Sequence, residues 1–274
     1  MGGKGGGGKS TLMTSLVDFF HAENCPVTLI DCDTENKVHG SFSHFFKEAL
    51  KVDITTPSGF DEFVEKVLCD NAPMVLADLG AGSGKFTFKW FDDMHDPLQE
   101  AGVRFLAIGV LTSEVATTET IFNWANALKS RTDYLIVRNH RNGDDFSALE
   151  NSEPGQRFLK VSKAPVIDME ARLDDIQRDL DKRGLSLRQA LEAPSEIAGP
   201  FLSRAVSKIR MRGYLTRMNA QFRRVVDTLC SMLPIELHIA FDCDQRYPEC
   251  TRYLRLSRIA IDDQWTNTGR WPLK

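Results

Sequence analysis

The chain has 274 residues, 42% of them hydrophobic and 26% charged, with a net charge of −4. That is the composition of an ordinary folded protein long enough to bury a sizeable core. No apolar run approaches the roughly 18 residues that a membrane-spanning helix needs. The glycine- and lysine-rich start lacks the apolar stretch of a secretory signal, so a cytoplasmic protein is expected.

The first element is a glycine loop leading into a helix. Gly3 to Ser10 read G-K-G-G-G-G-K-S, which fits the Walker A pattern G-x-x-x-x-G-K-[ST] throughout. Successive backbone N–H groups without side chains can wrap phosphate oxygens. Lys9 then reaches the β- and γ-phosphates, and Ser10 binds Mg²⁺. The following S-T-L-M-T-S-L-V-D-F-F-H reads as a helix whose positive end faces the phosphates. Its Leu12, Leu16, Val17, Phe19 and Phe20 suit packing on a sheet. The bland alternative for so much glycine is a flexible tail.

Next, Val27 to Ile30 form an apolar run between a proline and two acids, which reads as a buried parallel strand. Asp31 and Asp33 stand at its C-terminal end, where ligands bind in open α/β sheets. Met74 to Gly80, M-V-L-A-D-L-G, reads as a Walker B strand, with Asp78 holding Mg²⁺ through water and Gly80 freeing the backbone to move. The A-G-S-G-K-F that follows is expected to be a switch loop opening a helix. Residues 103–111 form another apolar strand, followed by a helix over 115–129 with Ser113 as its N-cap. Residues 133–139 form the next strand. It ends in Asn139, which suits either the edge of an adenine, pairing with N6 and N7, or a strand-end turn. A strand over 164–169 and a helix over 170–182, with Leu173, Ile176 and Leu180 on one face, complete the sequence up to about residue 195. The guanine-reading N-K-x-D box is absent, so ATP is favoured over GTP.

Lys4 sharpens this reading. Lys4 to Ser10, K-G-G-G-G-K-S, resembles the deviant Walker A box K-G-G-x-G-K-[ST] of the MinD/ParA family of ATPases. The resemblance implies a P-loop NTPase fold of class α/β, with a mostly parallel sheet and helices on both faces. It implies that Gly5, Gly6, Gly7, Gly8, Lys9, Ser10 and Thr11 hold ATP, and that Ser10 and Asp78 hold Mg²⁺. It further implies a homodimer formed across ATP, in which Lys4 reaches the partner's nucleotide. A second cation there would offset charge on the phosphoryl group in its transition state. The D-x-D element implies that one carboxylate aligns the attacking water and the other supports the Mg²⁺ shell. Asp33 is favoured for the water and Asp31 for support. The sequence continues D-T-E-N where partition ATPases usually have D-P-Q, which separates it from a standard partition role. The stretch 174–191 resembles ParA-like proteins encoded with conjugative transfer systems, so plasmid transfer or maintenance is the implied setting, with nucleoid or plasmid association. The family resemblance covers roughly residues 3–195.

Charge is unevenly distributed. Residues 1–200 carry 21 basic and 31 acidic side chains, whereas 201–230 carry 7 and 1. We therefore divide the chain into an ATPase domain (1–195), a basic helical segment (196–230) and a tail (231–274). Three readings of 201–230 stand open: a packed helix with a solvated basic face, a surface for DNA without sequence preference, and a membrane-surface helix. The membrane reading is the least favoured, because the segment is not at the extreme C-terminus. Gly213 is expected to interrupt its helix. In the tail, Ile235, Leu237, Ile239 and Phe241 alternate with polar residues as one strand. The six cysteines form no C-x-x-C pair and the six histidines no H-E-x-x-H, so buried reduced thiols are expected rather than disulfides or zinc.

Two functions from different classes are consistent with these residues. One is an ATP-hydrolysing dimerisation switch acting on an unknown partner protein. The other is a nucleotide-binding adaptor in DNA transfer that does not hydrolyse. A P-loop normally follows a central buried strand. Only Met1 to Gly3 precede Lys4, so that first strand is expected to be missing from this chain, the natural protein to start upstream, and nucleotide affinity to be weakened.

Overall fold

The computed structural model describes residues 7–33, 41–69, 74–80 and 84–230. Lys4, Gly5 and Gly6, the T-E-N of 34–36, the loop at 81–83 and the whole tail with its expected strand lie outside them. In chain order the first half contains α1 (Lys9–Ala22), β1 (Val27–Cys32), α2 (Phe42–Phe45), β2 (Leu50–Lys51), α3 (Pro57–Cys69), β3 (Met74–Leu79) and α4 (Gly84–Glu100). The second half contains β4 (Leu106–Leu111), α5 (Val115–Leu128), β5 (Asp133–Asn139), α6 (Ser147–Glu150), α7 (Glu153–Ser162) and β6 (Val166–Met169). Five helices close the described chain: α8 (Asp174–Arg183), α9 (Leu187–Glu192), α10 (Ser195–Leu202), α11 (Ala205–Arg224) and α12 (Val226–Cys230).

The strands form two parallel three-stranded sheets, ordered β2-β1-β3 and β4-β5-β6. The expected α/β class with parallel pairing is therefore present. Parallel strands covered on both faces read as continuous apolar runs, and V-T-L-I, L-A-I-G-V-L and Y-L-I-V do so. One core gathers Leu111, Ile121, Trp124, Ile136 and Phe146 around β4 and β5, and another gathers Ile30, Val52, Ile54 and Phe60 around β1. Leu79 and Trp90 pack against both cores. The Trp90 ring stacks on Phe60 at 5.0 Å and meets Phe105, just before β4, edge-on at 6.4 Å.

Several expected boundaries move. The strand expected over 103–111 starts only at Leu106, because Val103 N–H still bonds Leu98 O at the exit of α4. The last strand starts at Val166 rather than 164. Ser113 does not cap α5: its Oγ donates to Asn142 O, and the cap position is Glu114, without a side-chain bond. Of the face expected over 170–182, Ile176 and Leu180 are buried. Leu173 precedes the helix as its cap residue and is 47% exposed.

Gly213 does not interrupt α11, which runs unbroken over twenty residues. The penalty of a mid-helix glycine is only about 0.5–1 kcal/mol. It is offset by an inner face of Met211, Tyr214, Met218 and Phe222, buried where the helix lies against α1, α9 and β6. Salt bridges tie the C-terminal half of α11 down, Arg217 to Glu170 and Arg223 to Glu23. Among the described residues no helix is long and apolar enough to cross a membrane.

Candidate nucleotide-binding site

The site assembles at the C-terminal ends of the strands, where α1 begins. Gly8 is the N-cap of α1 at φ +89°, in the left-handed region. A Cβ there would fall 2.4 Å from the Asn139 amide nitrogen. The position thus needs glycine both for its backbone conformation and for its close approach to β5. Gly8→Ala is expected to lower stability by about 1–2 kcal/mol and to push Asn139 off the loop. A thermal melt of the variant superimposable on that of the wild type would show that this approach is not needed.

Ser10 Oγ donates to Asp78 Oδ2 at 2.8 Å. The register of the first sheet pairs Asp31 directly with Asp78 on adjacent strands, and both carboxylates are buried. Burial pushes the Asp78 carboxyl up to about 6. The Ser10 hydroxyl and the Lys9 charge oppose that rise, and the negative charges of Asp31 and Asp33 add to it. Asp78 thus feels one nearby cation and two nearby anions, a balance that disfavours its charged form.

The two members of D-x-D are placed differently. Asp31 spans two backbone amides, accepting from Asp33 N at 3.1 Å and from Ser43 N at 2.9 Å. Its carboxylate holds the exit of β1 against the start of α2. Asp33 is only half-buried and lies beside Gly80, where an added Cβ would come 3.0 Å from Asp33 Oδ1 and 3.2 Å from its Cα. A side chain at Gly80 would thus press on Asp33 and require it to shift by a few tenths of an ångström.

Asn139 Nδ2 donates to Gly7 O at 3.0 Å, and its Oδ1 accepts from Arg141 N at 3.1 Å. Both ends of the amide are used within the protein, so of the two sequence readings the strand-end turn accounts for the bonds seen. The same side chain ties the glycine loop to the second sheet, a link the sequence does not reveal. Nor does the sequence reveal the role of Arg172. Its guanidinium donates to Thr11 O and to Ser15 Oγ, and lies 4.8 Å from the centre of the Tyr214 ring. It thereby joins the first turns of α1 to α11. A lone arginine in a polar stretch carries no sequence signal of such a role.

The donors suit a hard cation. Ser10 and Asp78 offer oxygen ligands, while no group of three or more His, Cys, Asp or Glu side chains among the described residues could hold a metal by itself. Two oxygen donors are what a Mg²⁺ site asks of a protein, since that ion keeps several waters and takes phosphate ligands beside one or two protein groups. Cys25 and Cys32 are buried free thiols.

These features define an α/β protein with parallel sheets, in which a glycine-capped helix start faces a buried carboxylate pair. No protein-family model matches the chain. Over 195 residues it is 24% identical to Protein MobD of Acidithiobacillus ferrooxidans, an alignment that covers 70% of this chain and 84% of that protein.

Proposed function

We propose that the chain is a P-loop ATPase of the MinD/ParA type, binding ATP and Mg²⁺ and dimerising around them. The observation that carries this reading is the 2.8 Å bond from Ser10 to the buried Asp78 at the start of a glycine-capped helix. It joins the Walker A serine to the Walker B carboxylate, the pair that would share Mg²⁺. Lys9 and Lys4 would offset charge on the phosphoryl group, and Asp33, the half-buried carboxylate, would align the attacking water. The bound Mg²⁺ would polarise the phosphoryl oxygens. A setting in plasmid transfer or maintenance draws on the resemblance of 174–191.

The open sheet edges also support a P-loop fold. Among the described residues β3 and β4 each pair on one side only, although both are apolar strands of a parallel sheet. Unpaired edges of this kind are a liability. A doubly wound sheet would give each of these edges a parallel partner.

The alternative, a nucleotide-binding adaptor without hydrolysis, is favoured by the Asp31 carboxylate being held by two backbone amides. The test is a titration of a fluorescent ATP analogue with Mg²⁺, followed by single-turnover hydrolysis. The wild type is expected to bind and Lys9→Ala to lose detectable binding. Asp33→Ala is expected to bind but to hydrolyse at least about a hundredfold more slowly. Failure of the wild type to bind would end the nucleotide reading. Equal inertness of wild type and Asp33→Ala, with binding retained, would leave the adaptor. Solution mass with ATP, with and without Lys4→Ala, tests the homodimer.

A further inference from the structure

The cations of α11 divide along its length. In the C-terminal half Arg217 and Arg223 pair with acids of the body, and Arg224 donates to Gln221. Arg204, the cap residue before the helix, and Arg210 and Arg212 in its N-terminal half are exposed and make no ion pair among the described residues; Arg204 only lies over its neighbour Phe201, at 5.6 Å. Between these arginines stand Val206 and Ile209, 58% and 66% exposed. They are one turn apart on the outward face, opposite the buried Ser207 and Met211. Helical spacing puts Arg210 one turn beyond Val206, and Arg212 one turn beyond Ile209.

This arrangement is poorly suited to solvent. Two branched aliphatic side chains face water, and the helix carries cations and no acid in its first turns, where its dipole favours negative charge. We propose that the outer face of α11 over residues 204–212 is a docking surface for an acidic amphipathic helix of a partner protein. Val206 and Ile209 would meet its apolar stripe, and the arginines the carboxylates beside that stripe.

Charge complementarity calls for an anionic partner, and the aliphatic pair selects among anionic partners. Phosphates of duplex DNA would engage the arginines and gain nothing from Val206 or Ile209. An anionic membrane would use both kinds of side chain. However, surface-binding helices present a wide apolar face with Trp, Phe or Leu, and this patch holds two aliphatic residues and no aromatic. A contact this small implies a weak, exchanging complex.

The test uses the full chain and a fluorescein-labelled amphipathic peptide of leucine and glutamate in heptad spacing, read by anisotropy. Mixed-sequence duplex DNA and vesicles of phosphatidylcholine with phosphatidylserine run as parallel probes. The peptide is expected to bind the wild type. Both Val206→Ser/Ile209→Ser and Arg210→Ala/Arg212→Ala are expected to weaken binding by about tenfold or more, while circular dichroism stays unchanged because all four side chains are exposed. A peptide affinity that ignores Val206→Ser/Ile209→Ser, or no binding at all, overturns the proposal. So does tighter binding of DNA that depends on the arginines alone, or tighter binding of vesicles that all four substitutions weaken.

Discussion

Phe222→Ala is expected to destabilise the protein by about 3–5 kcal/mol, the range for removing a fully buried aromatic ring. Phe222 has no solvent exposure, and its ring centre lies 5.4 Å from that of Phe19, itself fully buried on α1. Phe19 in turn contacts Phe20 at 5.5 Å. The substitution would open a cavity between the helix that follows the glycine loop and the long basic helix. For a domain whose whole stability is about 5–15 kcal/mol, such a loss is large. Urea denaturation followed by circular dichroism measures it. Ile209→Ala on the outer face of the same helix is the control, expected within about 0.5 kcal/mol of the wild type. Equal, small effects at both positions would mean that α11 is not part of the cooperative fold.

The second large effect concerns Asp18. This side chain sits in the middle of α1 with 3% exposure, accepting from Ser186 Oγ at 2.6 Å and from Arg188 N at 3.1 Å. Burial pushes its carboxyl up to about 6, against those two bonds and the charges of Arg172 and Arg188. The folded protein therefore keeps the Asp18 proton up to about pH 6, while the unfolded chain releases it near the ordinary aspartate value of 3.8. Between those values the folded state binds more protons, so stability falls as pH rises. The contribution is fully present below about 3.8 and is lost as pH rises through about 6. Its upper bound is about 3 kcal/mol, from roughly two pKa units at about 1.4 kcal/mol each.

Asp18→Asn keeps an acceptor without a titrating charge. The stability difference between it and the wild type should therefore move with pH across that window, in the wild type's favour at the acidic end. Asp18→Ala leaves the Ser186 hydroxyl and the Arg188 amide without their acceptor, and is expected to cost about 2–4 kcal/mol at neutral pH. Urea melts at pH 5 and pH 7.5 give both numbers. A difference between wild type and Asp18→Asn that is flat with pH would show that the carboxyl titrates normally in place.

Much of the site was legible in the chain. The glycine run before Lys9 and Ser10, the apolar run ending at Asp31 and M-V-L-A-D-L-G ending at Gly80 are local patterns. Each combines a strand or helix with the residues at its end, and the structure places Gly8, Ser10, Asp31, Asp33 and Asp78 at those ends. What spacing could not show is which atoms each carboxylate faces. The sequence favours Asp33 over Asp31 for the water only through a family resemblance, and spacing gives the two no different surroundings. Only the pairing of β1 with β3, and the amide of Ser43 arriving from α2, separate a buried brace from a half-exposed carboxylate.

The same division runs through the C-terminal helices. The apolar residues of 201–230 recur at helical spacing and show that a helix forms there. Their pattern counts Val206 and Ile209 together with Met218 and Phe222, because hydropathy does not reveal which apolar residues find a partner surface. Sequence by itself determined the α/β elements, the glycine at the start of α1 and the acid-ended strands, since each depends on residues close along the chain. Tertiary structure alone decided the bond from Ser10 to Asp78, the hold of Asn139 on Gly7, the reach of Arg172 from α1 to Tyr214 and the burial of Asp18 under α9. Each of these joins groups distant in sequence, and their geometry follows from how helices and sheets pack.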